Sequence, residues 1–253
     1  MDDKFTFRDF SIPVELMMMT GGGPDTFEII SNSHIQILCE TVGLSPNHHI
    51  LEVGCGIGRD AIPLTSLIAD GSYIGIDIIE PSIAWCNENI SRRHPNFSFY
   101  HLDIKDQLHN PNGTTTTRSC TLPAGDQSVD RIILWSVFTH MFRYDIVHYL
   151  DEFRRILKPG GRVFMTCFIA DSRSLESVRN PSSGSSLTFK SEFGPGCYVN
   201  DLVAPAGAVA FTEQSLREMV AAAELSVVEP MLRGSWAGLA DSKLGQDALI
   251  LRP

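Results

Sequence analysis

The chain has 253 residues, 43% hydrophobic and 20% charged, an ordinary globular composition that excludes extended disorder or a collagen-like repeat as its main state. No apolar run approaches the ~18 residues of a membrane span, and the acidic start MDDKFTFRDF has no apolar segment of the kind a secretory leader needs. Twenty basic against thirty acidic side chains leave a net charge of −10, a poor match to a phosphate backbone, so neither a nucleic-acid nor a membrane partner is expected.

Residues 1–25 show no periodic element. Ile12-Pro13, the run Met17-Met18-Met19 and Gly21-Gly22-Gly23-Pro24 read as an irregular segment with a flexible joint. Its methionines suit either a substrate entrance or packing onto the core. Asp25 is the expected N-cap of a first helix, with Glu28 three residues later. Phe27, Ile30, His34, Ile37, Leu38 and Val42 recur at helical spacing until Gly43 stops them. His34 lies on that stripe and reads as a packed or hydrogen-bonded histidine.

A strand–helix alternation follows. The pattern predicts a strand over 49–53, a helix over 59–68 with Pro63 in its first turn, a strand over 72–78 and a helix over 81–91 with proline at its start. Strands over 97–102 and 129–135 come next. An amphipathic helix over 145–157 ends at Lys158-Pro159-Gly160-Gly161, and a fifth strand spans 162–170. A helix over 212–224, with Thr212 as N-cap, precedes strands over 225–232 and 247–251. Such alternation implies a mainly parallel sheet with helices on both faces, joined by right-handed crossovers. Residues 110–119 form a polar loop. Residues 171–210 form a long segment with Ser/Gly/Pro clusters, either a lid over a binding site or an inert insertion. One domain over 1–253 is expected, with residues 1–24 and 171–210 as lid segments.

Six cysteines stand at 39, 55, 86, 120, 167 and 197 with no CxxC spacing. They read as reduced thiols of a cytoplasmic protein. His48-His49 is read as part of a polar loop before a strand, and no metal site is expected.

The densest chemical signal is Ile50-Leu51-Glu52-Val53-Gly54-Cys55-Gly56-Ile57-Gly58, a GxGxG turn directly after an apolar strand. Glycines there allow close backbone approach to a ligand and a sharp entry into a helix. The third glycine falls one residue too early for the dinucleotide fingerprint. Asp77 ends the second strand, where a carboxylate can accept both hydroxyls of a ribose. Asp103 ends the third, where it can receive the exocyclic amine of adenine, with Ile78 and Ile104 on the two faces of the ring. Three such features at successive strand ends describe an adenosine pocket without a pyrophosphate.

On these residues the sequence resembles the class I S-adenosylmethionine-dependent methyltransferases. LEVGCGIGRD is similar to the family's first motif, GIDIIEPSI to its acidic second-strand motif, and HLDI to its third-strand motif. VDRIILWSVFTHM and FRRILKPGGRVFMT are similar to the regions of its fourth and fifth strands. The resemblance runs from about residue 45 to 170 and resumes more weakly over 211–253, where GSWAG and GQDALIL look like the tail of bacterial small-molecule members. It implies a Rossmann-like α/β fold with a seven-stranded sheet in the order 3-2-1-4-5-7-6, the last strand antiparallel. It implies S-adenosyl-L-methionine as cofactor. Gly54, Gly56 and Gly58, with Cys55 and Arg59 in the same turn, would pass under its methionine part. Glu52 would orient that turn or the amine, Asp77 would hold the ribose, and Asp103, Ile78 and Ile104 the adenine. The backbone around Leu134, Trp135 and Ser136 would face the amine and the sulfonium.

Methyl transfer is mainly a matter of alignment, but a hydroxyl acceptor must also lose a proton. His140, just after the fourth strand, is the candidate base or acceptor-orienting group. The alternative is a histidine that caps a loop or packs by Phe142. Arg143 and Tyr144 follow on the same loop and can bind an acidic or hydroxylated acceptor. Trp236 is either a platform for a sugar or planar acceptor or a core tryptophan. Gln246-Asp247 reads as strand-end hydrogen bonding. The D/N-P-P-Y motif of amino-methylating DNA enzymes is absent, and Asp145, Asp151 and Glu152 read as a solvated helix face rather than a metal cluster. Oxygen is the expected acceptor atom, of a sugar or glycoside on the resemblance of the tail, with carbon and nitrogen acceptors open. Two other classes compete. An NAD(P)-dependent oxidoreductase would share the glycine turn and Asp77 but leaves Asp103, SVFTHM and KPGG unexplained. A non-catalytic member would bind cofactor or partner without turnover.

Overall fold

The computed structural model describes residues 3–253. They resolve into two compact units, one up to Ile133 and one from Leu134 onward.

The first unit opens with an antiparallel hairpin, β1 (Lys4–Phe7) and β2 (Phe10–Pro13), where an irregular segment was expected. Arg8, at φ 51, turns the chain so that Phe7 pairs with Phe10. The apolar alternation Phe5, Phe7, Phe10, Ile12 on either side of Arg8-Asp9 is the signal that marks it. Phe7, Phe10 and Ile12 are buried, and Phe7 meets Phe27 edge-on at 5.4 Å. A short helix α1 (Val14–Met18) leads to α2 (Pro24–Thr41). Gly23, not Asp25, is the N-cap of α2. Proline takes the first helical position, where its missing N–H costs nothing. Gly43, at φ 62, ends the helix with its N–H on the Leu38 carbonyl.

Then come β3 (His49–Val53), α3 (Ala61–Leu64), β4 (Ser72–Asp77), α4 (Glu80–Cys86), β5 (Phe97–His101) and β6 (Val129–Leu134). β3 runs parallel to β4 and β4 parallel to β5, so Val53 lies opposite Ile76 and Asp77 opposite His101. The helix expected over 59–68 contracts to one turn. Thr65 bonds its hydroxyl to the Ile62 carbonyl at 2.7 Å, and Ser66 and Leu67 make i→i+3 bonds that tighten the chain out of the α-helix. The helix expected over 81–91 is present as α4, continued by a wider π turn at Asn87–Ser91.

The second unit contains α5 (Arg143–Ile156), β7 (Leu157–Cys167), α6 (Ser172–Arg179), β8 (Ser191–Gly194), β9 (Cys197–Val199), β10 (Val209–Phe211), α7 (Glu213–Ala222), β11 (Ser226–Leu232) and β12 (Asp247–Arg252). Thr212 caps α7 as expected, accepting the Ser215 N–H. β12 is antiparallel to both β7 and β11. β7 begins at Leu157 and so takes in the Lys158–Gly161 turn that was expected to precede it.

The segment 171–210 is structured. Asp171 caps α6 through a reciprocal pair, accepting the Ser174 N–H at 2.7 Å and donating its own N–H to Ser174 Oγ at 3.0 Å. β8, β9 and β10 form a three-stranded antiparallel sheet in the order β10-β9-β8. Phe168, Leu175, Phe189, Ala208 and Ala210 bury a common apolar cluster there. β8, β9 and β10 have three or four residues each, and no apolar alternation across a shared turn marks them in the sequence.

The main sheet has seven strands in the order β5-β4-β3-β6-β7-β12-β11. Counted along the chain among themselves, these are 3-2-1-4-5-7-6 with the last antiparallel, the order the resemblance implies. No helix among the described residues is long and apolar enough to cross a membrane. All six cysteines are free thiols.

Candidate functional site

In the first unit, the turn after β3 is built on left-handed glycines. Gly54, Gly56 and Gly58 stand at φ 76, 52 and 77, a region that penalises any residue with a Cβ. The Gly54 and Cys55 N–H groups both donate to the Ile76 carbonyl, at 2.8 and 3.1 Å, which anchors the turn to β4. A Cβ on Gly58 would meet Ile90 Cδ1 at 2.7 Å. The Cys55 and Cys86 thiols are buried and both point at the Gly56 carbonyl, at 3.8 and 3.7 Å. Burial pushes both thiols well above their ordinary pKa.

Asp77 ends β4 and is nearly buried. Its Oδ2 accepts the Gly56 N–H at 2.7 Å and its Oδ1 the Ile79 N–H at 2.9 Å. Burial raises its pKa, and these backbone donors pull it back. Glu52 lies beneath the turn. It is buried, with Oε2 accepting the Tyr73 hydroxyl at 2.5 Å, so it ties β3 to β4. Burial first, then the charge of Asp60, hold its carboxyl well above the ordinary range.

Asp103 follows β5. Its Oδ2 accepts the Thr114 hydroxyl at 2.5 Å and its Oδ1 the Asn110 amide at 3.1 Å. These bonds hold its carboxyl below the ordinary range. Asn110 and Thr114 belong to the polar loop 110–119, in which no motif signals a partner for Asp103. Ile104 is buried and Ile78 half-buried, flanking the two acids in sequence.

In the second unit, Leu134 is buried and Trp135 packs its ring on Phe164 at 4.5 Å. Ser136 takes φ 57, a strained value for a residue with a side chain. Its N–H donates to Thr166 Oγ1 at 2.7 Å, and its Oγ bonds Gln246 Nε2 at 2.9 Å and Thr139 Oγ1 at 3.2 Å. This polar cluster joins residues 30 and 110 positions apart, beyond the reach of a motif.

His140 closes a 3-10 turn, Phe138–His140, after β6. Its Nδ1 lies 2.9 Å from the Ala206 carbonyl. A carbonyl only accepts, so the neutral ring carries its proton on Nδ1 and its lone pair on Nε2. Arg143 and Tyr144 are not loop residues but the first two positions of α5. Arg143 pairs with Glu218 on α7 at 3.3 Å, and Tyr144 is 71% exposed.

Trp236 is half-buried. Its ring packs against Phe168 and Phe189 at 5.2 and 5.5 Å, and its Nε1 donates to Asp247 at 2.8 Å. Asp247 is fully buried and also accepts the Ile169 and Gly234 N–H groups, at 2.7 and 2.9 Å, with Arg233 3.3 Å away. That is the strand-end role expected of it. His48 and His49 accept and share hydrogen bonds with Ser45 and Ser72.

A family model described as a methyltransferase domain matches residues 50–161. An arsenite methyltransferase of Aquipseudomonas alcaligenes is 28% identical over 170 residues, covering 67% of this chain and 45% of the relative. The O-methyltransferase cnsE of Penicillium expansum is 28% identical over 132 residues, covering 51% of this chain and 42% of that one. Each match thus spans less than half of the curated relative's length. In fold the chain is similar to a SAM-dependent methyltransferase from Aquifex aeolicus, with a TM-score of 0.53 and 14% identity over 94% of this chain and 95% of that one.

Proposed function

We propose that this chain is a class I S-adenosylmethionine-dependent methyltransferase and that it methylates a small-molecule acceptor at a hydroxyl oxygen, of a sugar or glycoside. The observation that carries the reading is the left-handed glycine turn after β3, held by one acid at the end of β4 and followed by a second after β5.

The residues present fit the cofactor. Gly54, Gly56 and Gly58 hold left-handed backbone, and a Cβ on Gly56 or Gly58 would meet Thr20 or Ile90. Each Asp77 oxygen accepts one backbone N–H in the structure and has a second lone pair for a ribose hydroxyl. Asp103, held ionised by Thr114 and Asn110, suits the exocyclic amine of adenine, with Ile78 and Ile104 against the ring. Arg59, next to the third glycine, suits the carboxylate end. When bound, the cofactor supplies an electrophilic methyl group on a sulfonium. The protein's own work is to align the acceptor and take its proton. His140 is assigned that proton, with Ala206 fixing the tautomer that leaves Nε2 basic. Ser136, Thr139 and Gln246 are assigned to orienting the acceptor.

A hydroxyl acceptor is supported by this histidine geometry and by the similarity to an O-methyltransferase. The net charge of −10 supports a small molecule over nucleic acid, and six free cysteines support a cytoplasmic setting. We read residues 1–253 as one methyltransferase domain.

Calorimetric titration with S-adenosylmethionine and, separately, NADH tests the cofactor. Binding of the first alone is expected, and binding of NADH alone would replace this reading with an oxidoreductase. A screen of hydroxylated acceptors for S-adenosylhomocysteine release then tests turnover. Binding without release from any acceptor class would favour a non-catalytic member. His140→Ala is expected to lower kcat by about 10²–10⁴-fold while leaving cofactor affinity unchanged. Unchanged kcat would place the base elsewhere.

A further inference from the structure

In the second unit, residues 201–207 form a loop between β9 and β10, and none of them is buried. Leu202 and Val203 at its tip are 62% and 92% exposed. Apolar packing therefore does not place this loop, and its position depends on polar bonds at its ends. Yet the loop carries the Ala206 carbonyl, which lies 2.9 Å from His140 Nδ1. The 3-10 turn Pro205–Gly207 presents that carbonyl, with the Gly207 N–H on the Ala204 carbonyl at 2.9 Å.

The bonds at its base converge on Asn200, the residue just before it. The Asn200 N–H donates to the Ala208 carbonyl at 3.1 Å and closes the loop. Its side-chain Oδ1 accepts the Thr188 and Phe189 N–H groups, at 2.7 and 3.3 Å, and its Nδ2 donates to the Ser186 carbonyl at 3.0 Å. Arg179 donates to the carbonyls of the same two residues, Thr188 and Phe189. Phe189 is fully buried against Phe168 and Trp236. It takes φ 43, a left-handed value that a residue with a side chain keeps only where its surroundings hold it. Asn200 thus ties a fixed part of the core to the loop that holds the histidine.

We propose that Asn200 is a positioning residue for His140. Through the loop that it anchors, it sets the Ala206 carbonyl, and so the tautomer that keeps the ring proton on Nδ1 and the lone pair on Nε2. Oδ1 is the deciding atom, since it takes two backbone N–H groups at once, while Nδ2 makes one bond to the carbonyl of an exposed residue. Without the anchor the Ala206 carbonyl leaves Nδ1, and the proton distributes between the two nitrogens. This role rests on the assignment of the acceptor's proton to His140.

Nitrogen NMR of the His140 ring, on the full chain at a pH where the imidazole is neutral, reports which nitrogen carries the proton. In the wild type it is Nδ1. Asn200→Ala gives a mixture of both tautomers. Asn200→Asp keeps an oxygen acceptor for Thr188 and Phe189 and retains the wild-type tautomer. Unchanged amide signals in the main sheet show that each variant is folded. Asn200→Ser shortens the same side chain and gives the same mixture, which decides the matter if the alanine variant does not fold. With an acceptor that turns over, Asn200→Ala lowers kcat by about tenfold and leaves affinity for S-adenosylhomocysteine unchanged. A wild-type tautomer or an unchanged kcat in a folded Asn200→Ala, or a mixture in Asn200→Asp as well, would each overturn the role. A wild-type ring protonated on Nε2 would overturn this role and the base together. Unchanged kcat in His140→Ala, with the tautomers as expected, would overturn the base alone and leave Asn200 as the residue that sets the ring.

Discussion

Asp77 Oδ2 accepts the Gly56 N–H at 2.7 Å, so the acid that ends β4 holds the middle glycine of the turn that follows β3. Its other oxygen fixes Ile79 at the entrance to α4. The residue assigned to the ribose therefore also builds the turn beside it. A change at Asp77 acts on fold and ligand together.

Asp77→Ala should lower both stability and cofactor affinity. Two nearly buried N–H groups lose their acceptor, at about 1–3 kcal/mol each. Thermal melts should show a drop of several degrees. Calorimetry at a temperature where the variant is still folded should show at least a tenfold loss for S-adenosylhomocysteine. A lower Tm with unchanged affinity would reduce Asp77 to a structural part.

Glu52→Gln should change how stability depends on pH. Burial and Asp60 raise the Glu52 carboxyl above its ordinary value of 4.5, so above that pH the folded state binds more protons than the unfolded one. Wild-type stability contributed by this group therefore falls as pH rises from 4.5 through the raised folded value. The glutamine variant lacks that loss and should gain on the wild type between pH 5 and pH 8. Urea midpoints for both proteins across that range measure it. Parallel curves would mean that Glu52 titrates alike in both states.

Gly56→Ala combines two penalties: a left-handed φ of 52, costing about 1–2 kcal/mol, and a collision with Thr20 Cγ2. Thr20→Gly removes the second and leaves the first. The double variant should therefore recover part of the lost Tm, and no more than part. Full recovery would show that the turn tolerates a side chain. No recovery would show that Thr20 does not press on it.

Asp247→Ala should be among the most damaging changes in the second unit. It strands the N–H groups of Ile169, Gly234 and Trp236 at once. Asp247→Asn keeps one carbonyl oxygen and should fall between it and the wild type. Tryptophan fluorescence during urea unfolding reports both stability and the loosening of Trp236 from Phe168 and Phe189. An unperturbed midpoint for the alanine variant would contradict the role assigned to this carboxylate.

The strands of the main sheet were legible because each is a short β-branched or aromatic run with its own boundaries. His49–Val53 has the predicted limits, and the other six shift mainly at their ends. The glycine turn was equally local. The hairpin around Arg8-Asp9 was legible but passed over, because its alternation spans only four apolar positions. Arg143 and Tyr144 were misjudged by two residues of helix boundary. That small error turns them from loop residues into the first turn of α5, with Arg143 on Glu218.

By itself the sequence determined the strands of the main sheet, the glycine turn and the acids that follow its second and third strands, since these depend on periodicity and on residue types within a few positions; the strand order was implied by the family resemblance. Only the tertiary structure decided which polar groups share a partner. Asp103 with Thr114, His140 with Ala206, Ser136 with Gln246, and Arg59 with Thr20 are joined across 11, 66, 110 and 39 positions. A hydrogen bond is satisfied by distance in space and leaves no period in the chain, and for that reason the bonds of Arg59 to Thr20 and Ser31 emerge from the packing of α2 and not from the motif that contains Arg59.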